Sequence, residues 1–213
     1  MNPNNLNLYI VDDDEAVRRS LGSLLLSRLT DCSVKTFDSG EAFLKNASLD
    51  GSGIAILDFR MDGMSGLDVF QALQDRKSPL VVVFLSGHGD IPVAVRAMQD
   101  GAISWLEKPC TDAQLLHTIQ QAKDRAATIA SARRERHHGL ARWEKLTPRE
   151  RQLAPLVASG KSSKTIAQLL TSQSDELGDR TVETHRARIF DKLEVANSNE
   201  LLVFLKNHNL IEL

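Results

Sequence analysis

Five short apolar runs alternate with five helical patterns through the first half of this chain, and no other feature limits its fold so tightly. Leu8-Tyr9-Ile10-Val11 ends at Asp12, and Val17, Leu21, Leu24, Leu25 and Leu29 then recur at helical spacing. The run Ser33 to Phe37 precedes a short helical stretch from Glu41 to Lys45, and Ile54-Ala55-Ile56-Leu57 runs into Asp58 ahead of Leu67, Phe70, Ala72 and Leu73. Leu80 to Leu85 stops at Ser86-Gly87 before a helix opened by Pro92. Ile103 to Leu106 is stopped by Lys108-Pro109, with a long helical pattern after Thr111. Strands alternating with helices predict a parallel sheet covered on both faces.

The second half is different. Thr147-Pro148-Arg149-Glu150 offers an N-cap, a proline at the first helical position and an acid three residues on, which is a capping box. Leu153, Leu156 and Val157 continue that helix to Gly160, with a kink expected at Pro155. A short helix from Ser162 or Ser163 to Leu170 follows, with Ile166, Leu169 and Leu170 inward; then Arg180 to Leu193, and Asn197 to His208. The spacing predicts a small all-α domain. Between the halves, Arg133 to Gly139 is polar and ends in glycine, and is expected to be the hinge of a helical linker. The expected divisions are therefore 1–125, a linker over 126–145, and 146–213.

Composition narrows the function classes. Among 213 residues the longest apolar run is far short of the ~20 that a membrane helix needs, and the N-terminus lacks a basic flank with a long apolar stretch. A soluble, cytoplasmic protein with no membrane partner is the expectation. Cys32 and Cys110 are too few for a disulfide framework or a four-ligand zinc site. Residues 1–125 carry a net charge of −5 and residues 126–213 one of +3, so a polyanion partner would meet the second half.

Asp12-Asp13, Asp58, Ser86 and Lys108 each fall directly after a predicted strand. Ligands of an open parallel sheet bind outside the carboxyl ends of its strands, so these groups are expected to gather on one edge. Three neighbouring carboxylates repel by roughly 4 kcal/mol per pair at an effective dielectric near 20, which calls for cations beside them. A hard divalent ion, Mg²⁺ above others, and the Lys108 ammonium meet that need and suit phosphoryl transfer to a carboxylate. Asp14 and Glu15 read as solvated acids of a first helical turn, and His88 as an exposed loop residue.

On these residues the first half resembles the receiver domain of bacterial two-component response regulators, through VDDDEAVR, AILDFRMDGMSGLDV, VVFLSGHGD and AISWLEKP. The resemblance implies a flavodoxin-like five-stranded sheet in the order 2-1-3-4-5, followed by the helical domain. It also implies Asp58 as phospho-acceptor, with Mg²⁺ held by Asp13, Asp58 and the Arg60 backbone carbonyl, assisted by Asp12 through water. Ser86 and Lys108 would bind the phosphoryl oxygens, and Ser86 and Trp105 would act as the switch pair. Trp105 stands where such receivers more often have Tyr or Phe, and Asp62 where they usually have proline.

In the second half, Val182, Ile189 and Leu193 share one helix face, while Thr184, Arg188 and Asp191 share another that suits a major groove. LTPRERQLAPLVASGKSSKTIAQLL followed by RTVETHRARIFDKL resembles the LuxR-type helix-turn-helix domain of the NarL/FixJ regulators. That implies DNA-backbone contacts from Lys164, His185 and Lys192, base-edge or nearby contacts from Arg180, Thr184 and Arg188, and a dimerising helix bearing Leu201, Leu202 and Leu205. Nine residues, TSQSDELGD, separate Leu170 from Arg180 where the family usually has about four, and Asp179 is a candidate cap for the helix after them.

The function so implied is a transcriptional regulator whose Asp58 is phosphorylated by a sensor histidine kinase, shifting homodimerisation and binding to promoter DNA, with RNA polymerase a further candidate partner. A receiver whose helical domain acts mainly through protein–protein interaction is the alternative. An aspartate-nucleophile phosphatase shares the chemistry, but the sequence offers no second acid for the leaving group and no cap, so a non-enzyme is expected.

Overall fold

The structure, a computed structural model, describes residues 6–87, 91–171 and 178–211. It divides into two compact units, Met1–Ser131 and Ala132–Leu213, so the division falls inside the segment expected to link the domains.

In the first unit β1 (Leu6–Val11), β2 (Cys32–Phe37), β3 (Gly53–Asp58), β4 (Val81–Ser86) and β5 (Ser104–Glu107) form one parallel sheet in the order β2-β1-β3-β4-β5. Between them run α1 (Glu15–Arg28), α2 (Gly40–Asn46), α3 (Gly66–Asp75) and α4 (Ile91–Gln99), and α5 (Asp112–Glu144) follows the last strand. Period-2 alternation divides each strand between two cores. Tyr9, Val11, Ala55, Leu57, Val82 and Phe84 meet Phe43, Val69, Phe70, Leu73 and Ala97 on one face. Leu8, Ile10, Ile54, Ile56, Val83 and Leu85 meet Leu25, Leu115, Ile119, Ala122 and Ala126 on the other. Covered on both sides, β3 and β4 are buried at every position, which is why they read as unbroken apolar runs. Asp14 caps α1 by accepting from the Ala16 and Val17 N–H groups, a specific form of the first-turn role expected of it.

The second unit contains the end of α5 with α6 (Pro148–Ala158), α7 (Ser163–Thr171), α8 (Asp179–Leu193) and α9 (Ser198–Asn207). Its core holds Leu146, Leu153, Val157, Ile166, Val182, Ile189, Leu193, Leu201, Phe204 and Leu205. The capping box at Thr147 and Glu150 forms in full, and α6 continues without interruption across Pro155.

Four expectations change. The helix does not stop at Gly139, because that residue is buried under the His208 ring: a β-carbon there would lie 1.8 Å from His208 Nε2. Glycine at this position serves close packing, not a hinge. Leu169, expected inward, is 46% exposed, and Ala167 is buried instead. Gly178, not Asp179, occupies the N-cap of α8, with no side-chain hydrogen bond. Leu201 and Leu205 of the expected dimerising helix are buried in their own unit, with Leu202 partly so. His88, and the inserted residues 172–177 with Asp175 and Glu176, lie outside the described residues.

Candidate functional site

Parallel register brings the strand ends of the first unit level. Asp58 of β3 pairs with Leu85 and Ser86 of β4 with Glu107, so Asp58, Ser86 and Lys108 fall at one edge, and Asp12 follows the end of neighbouring β1. The Lys108 N–H donates to the Ser86 carbonyl at 2.7 Å, and the Phe59 N–H to the Leu85 carbonyl at 2.8 Å, which carries the ladder past the strands to the site itself.

Lys108 Nζ donates to Asp12 Oδ2 at 2.6 Å and to Asp58 Oδ1 at 3.0 Å. Asp12, Asp13 and Asp58 each offer an oxygen within 4.8 Å of the others. Asp12 and Asp58 are buried while Asp13 is exposed, so the cluster opens to solvent on one side. Burial raises the Asp58 pKa above the usual carboxylate range; the Lys108 hydrogen bond and charge work against this, and the charges of Asp12 and Asp13 add to it. Burial works against the Lys108 ammonium too, but its bonds to Asp12 and Asp58 prevail and its pKa is raised. One ammonium facing three carboxylates leaves excess negative charge, and their hard oxygen donors fit a divalent cation such as Mg²⁺.

Ser86 is buried beside this cluster, and Trp105 is half-buried, its ring 5.3 Å from Phe84 and 4.9 Å from Phe59. Two groups that sequence reasoning missed brace the edge. Arg18 donates to the Asp12 and Asp13 carbonyls at 2.7 and 2.9 Å, and Glu41 accepts from the Met64 N–H at 3.1 Å. Neither contact has a signature in the sequence, since Arg18 reads as a helix-surface cation and Glu41 as a first-turn acid.

In the second unit Arg180, Thr184, Arg188 and Asp191 are exposed on α8 and Lys164 on α7, while Val182, Ile189 and Leu193 face the core. The Thr184 hydroxyl donates to the Arg180 carbonyl at 3.0 Å, one turn back along the helix. His185 is half-buried, and its buried Nδ1 has no hydrogen-bond partner among the described residues. Lys192 is placed differently from the other cations: its Nζ donates to Glu150 Oε2 at 2.7 Å, and that carboxylate is only 1% exposed. Burial opposes the Glu150 charge, yet hydrogen bonds from Lys192 and from Thr147, together with the Lys192 charge, hold its pKa below the usual value. Lys192 is thus a structural cation first. Among the described residues, no helix is long and apolar enough to cross a membrane.

Residues 8–120 match the response regulator receiver domain, and residues 144–205 match the bacterial regulatory proteins of the luxR family. The chain is 40% identical over 195 residues to the tetrathionate response regulatory protein TtrR of Salmonella typhimurium, covering 92% of this chain and 89% of the relative. It is 34% identical over 196 residues to the transcriptional regulatory protein FixJ of Bradyrhizobium diazoefficiens, covering 92% of each. Among solved structures, the response regulator StyR is similar with a TM-score of 0.80 at 35% identity, over 95% of this chain and 98% of that one. Full-length FixJ from B. japonicum gives 0.55 at 32% identity, over 97% and 98%.

Proposed function

The chain belongs to the response regulators whose receiver domain is followed by a LuxR-type DNA-binding domain, and from that premise we propose which of its own groups carry the signal. It is a phosphorylation-controlled, DNA-binding transcriptional regulator, and its receiver implies a sensor kinase as partner. We assign residues 1–125 to the receiver, 126–145 to a linker and 146–213 to the output domain.

The observation that carries the residue assignment is the Lys108 ammonium bridging Asp12 and Asp58 at the sheet edge. An Asp58 oxygen attacks the phosphorus of the kinase phosphohistidine; the new P–O bond forms as the P–N bond breaks, leaving an aspartyl phosphate. Lys108 shifts from bridging two carboxylates to bonding a phosphoryl oxygen, and the Ser86 hydroxyl bonds another. Asp12, Asp13, Asp58 and the Arg60 carbonyl would hold Mg²⁺, which when bound supplies charge stabilisation for the phosphoryl oxygens. Relocation of Ser86 leaves space that Trp105 turns into, and the altered surface favours a homodimer that presents two α8 helices to promoter DNA. RNA polymerase is the partner proposed for that DNA-bound form, and the cytoplasm its place. The aspartyl step is a modification of the protein itself, and steady turnover of small phosphoesters would count against it.

Binding-site selection from random DNA, with and without beryllofluoride, tests the reading. Beryllofluoride is expected to sharpen selection and to enrich paired half-sites. Asp58→Asn removes the response, and a variant that still dimerises on treatment with acetyl phosphate would sink the acceptor assignment. Anisotropy with the selected DNA at two salt concentrations separates DNA binding from protein binding, because phosphate contacts impose a steep salt dependence.

A further inference from the structure

The segment between β3 and α3, residues 59–65, is gripped by two carboxylates that belong to neither element. The Asp62 N–H donates to Asp13 Oδ2 at 3.0 Å, and the Met64 N–H donates to Glu41 Oε1 at 3.1 Å. Between them Gly63 has a φ of +81°, and a β-carbon there would sit 3.0 Å from Glu41 Oε1, so the loop lies directly against that carboxylate. The far end of the loop is fixed by the Ser65–Asp68 capping box, and α2 is fixed by Phe43, whose ring lies 5.5 Å from Tyr9 and 5.4 Å from Phe37. Glu41 is therefore a rigidly based strut. An acid in a first turn already serves its own helix N-terminus, but this one also reaches a backbone N–H on another element, 23 residues away.

Asp13 is the exposed member of the acid cluster, and an exposed carboxylate held by no partner would lose rotamer freedom on binding a cation. The Asp62 N–H holds one of its oxygens in place beforehand, and that N–H is only as well placed as the loop that carries it. We infer that Glu41 is a positioning residue for the acceptor site: through Met64 it holds the loop so that Asp62 keeps Asp13 oriented toward a divalent cation. The inference rests on the proposed reading of the cluster as a Mg²⁺ site. Its physical basis is preorganisation, in which the conformational cost of binding is met within the folded protein.

Titration calorimetry of the full chain with MgCl₂ alone tests it, with Glu41→Ala, Glu41→Asp and Glu41→Gln. Asp retains the first-turn charge but is too short to reach Met64, whereas Gln lacks the charge but retains an acceptor oxygen of the same reach. Ala and Asp are expected to weaken Mg²⁺ binding about fivefold, the scale of one ordinary net hydrogen bond, with Gln near wild type. The backbone amide resonances of Asp62 and Met64 shift in Asp and stay in place in Gln. If Ala fails to fold, the Asp and Gln pair decides. Wild-type affinity in Asp, or equal weakening in Asp and Gln, overturns the inference while leaving the acid cluster intact. Absence of any Mg²⁺ binding by the wild type removes the cluster reading itself, and this inference with it.

Discussion

The pair formed by Lys192 and Glu150 makes a prediction whose size can be worked from geometry. At 2.7 Å the Coulomb attraction is bounded near ~6 kcal/mol at an effective dielectric of 20. Lys192 is 30% exposed, so water screens it, and desolvation of the Glu150 carboxylate at 1% exposure takes back much of the rest. Removing the cation does not orphan the acid completely, since the Thr147 N–H still donates to Glu150 Oε2 at 2.8 Å. Lys192→Met is therefore expected to cost about 2 kcal/mol, below the roughly 3–5 kcal/mol of a fully buried broken pair. Glu150→Gln should cost about half as much, because it leaves an ammonium that water reaches and an amide that still accepts from Thr147. The double variant should cost less than the two singles together. The chain supplies its own reporter: Trp143 packs on the core of the second unit and Trp105 on that of the first. Urea unfolding in a Trp105→Phe background thus follows the second unit alone. The Glu150 pKa is lowered in the folded state, so its contribution is full above the unfolded value and is lost as pH falls through the folded one. The gap between wild type and Glu150→Gln should close in acid. A Lys192→Met variant no less stable than Glu150→Gln, or strictly additive costs, would refute the argument.

In the first unit the sign runs the other way. The raised Asp58 pKa means that folding disfavours its charged form, a penalty that grows as pH rises from the unfolded value to the folded one. Asp58→Asn should therefore raise the urea midpoint read by Trp105 at neutral pH, with the gain fading in acid. Mg²⁺ binding to the wild type should weaken as pH falls through the folded value, and near that pH calorimetry in two buffers of different ionisation enthalpy should show proton release. Gly139→Ala drives a methyl group into the His208 ring and should destabilise the second unit by about 1–3 kcal/mol, read by Trp143. Arg188→Ala is expected to weaken specific DNA binding by roughly 1–3 kcal/mol, whereas Lys164→Ala should lower affinity across sequences and reduce the salt slope by about 1; an unchanged promoter footprint would remove either from the interface.

The strands of the first unit were legible because burial on both faces leaves a run such as Leu80 to Leu85 without polar interruption, and because each run breaks off where chemistry begins. Asp12, Asp58 and Lys108 are separated by up to 96 positions, yet their convergence followed from parallel topology alone. The capping box at Thr147 was equally plain, since every atom it needs lies within four residues. Arg18 and Glu41 could not be read this way. Their partners are backbone groups, and a peptide carbonyl or N–H carries no mark in a sequence.

Gly139, Leu169 and Lys192 share a different reason. At helical spacing a position is assigned to a face by its neighbours in the chain, but what that face meets is settled by another helix. Gly139 reads as a stop until His208 covers it, and Leu169 reads as core because it is apolar, although Ala167 takes the buried place. Lys192 and Arg188 are both cations one turn apart on α8. Arg188 is exposed, while Lys192 stands over the buried Glu150 carboxylate of α6. Alanine at 188 should accordingly alter DNA binding with little change in unfolding, and methionine at 192 should do the reverse, a contrast that tests the DNA contact proposed for Arg188 against the structural pairing of Lys192 on the same helix.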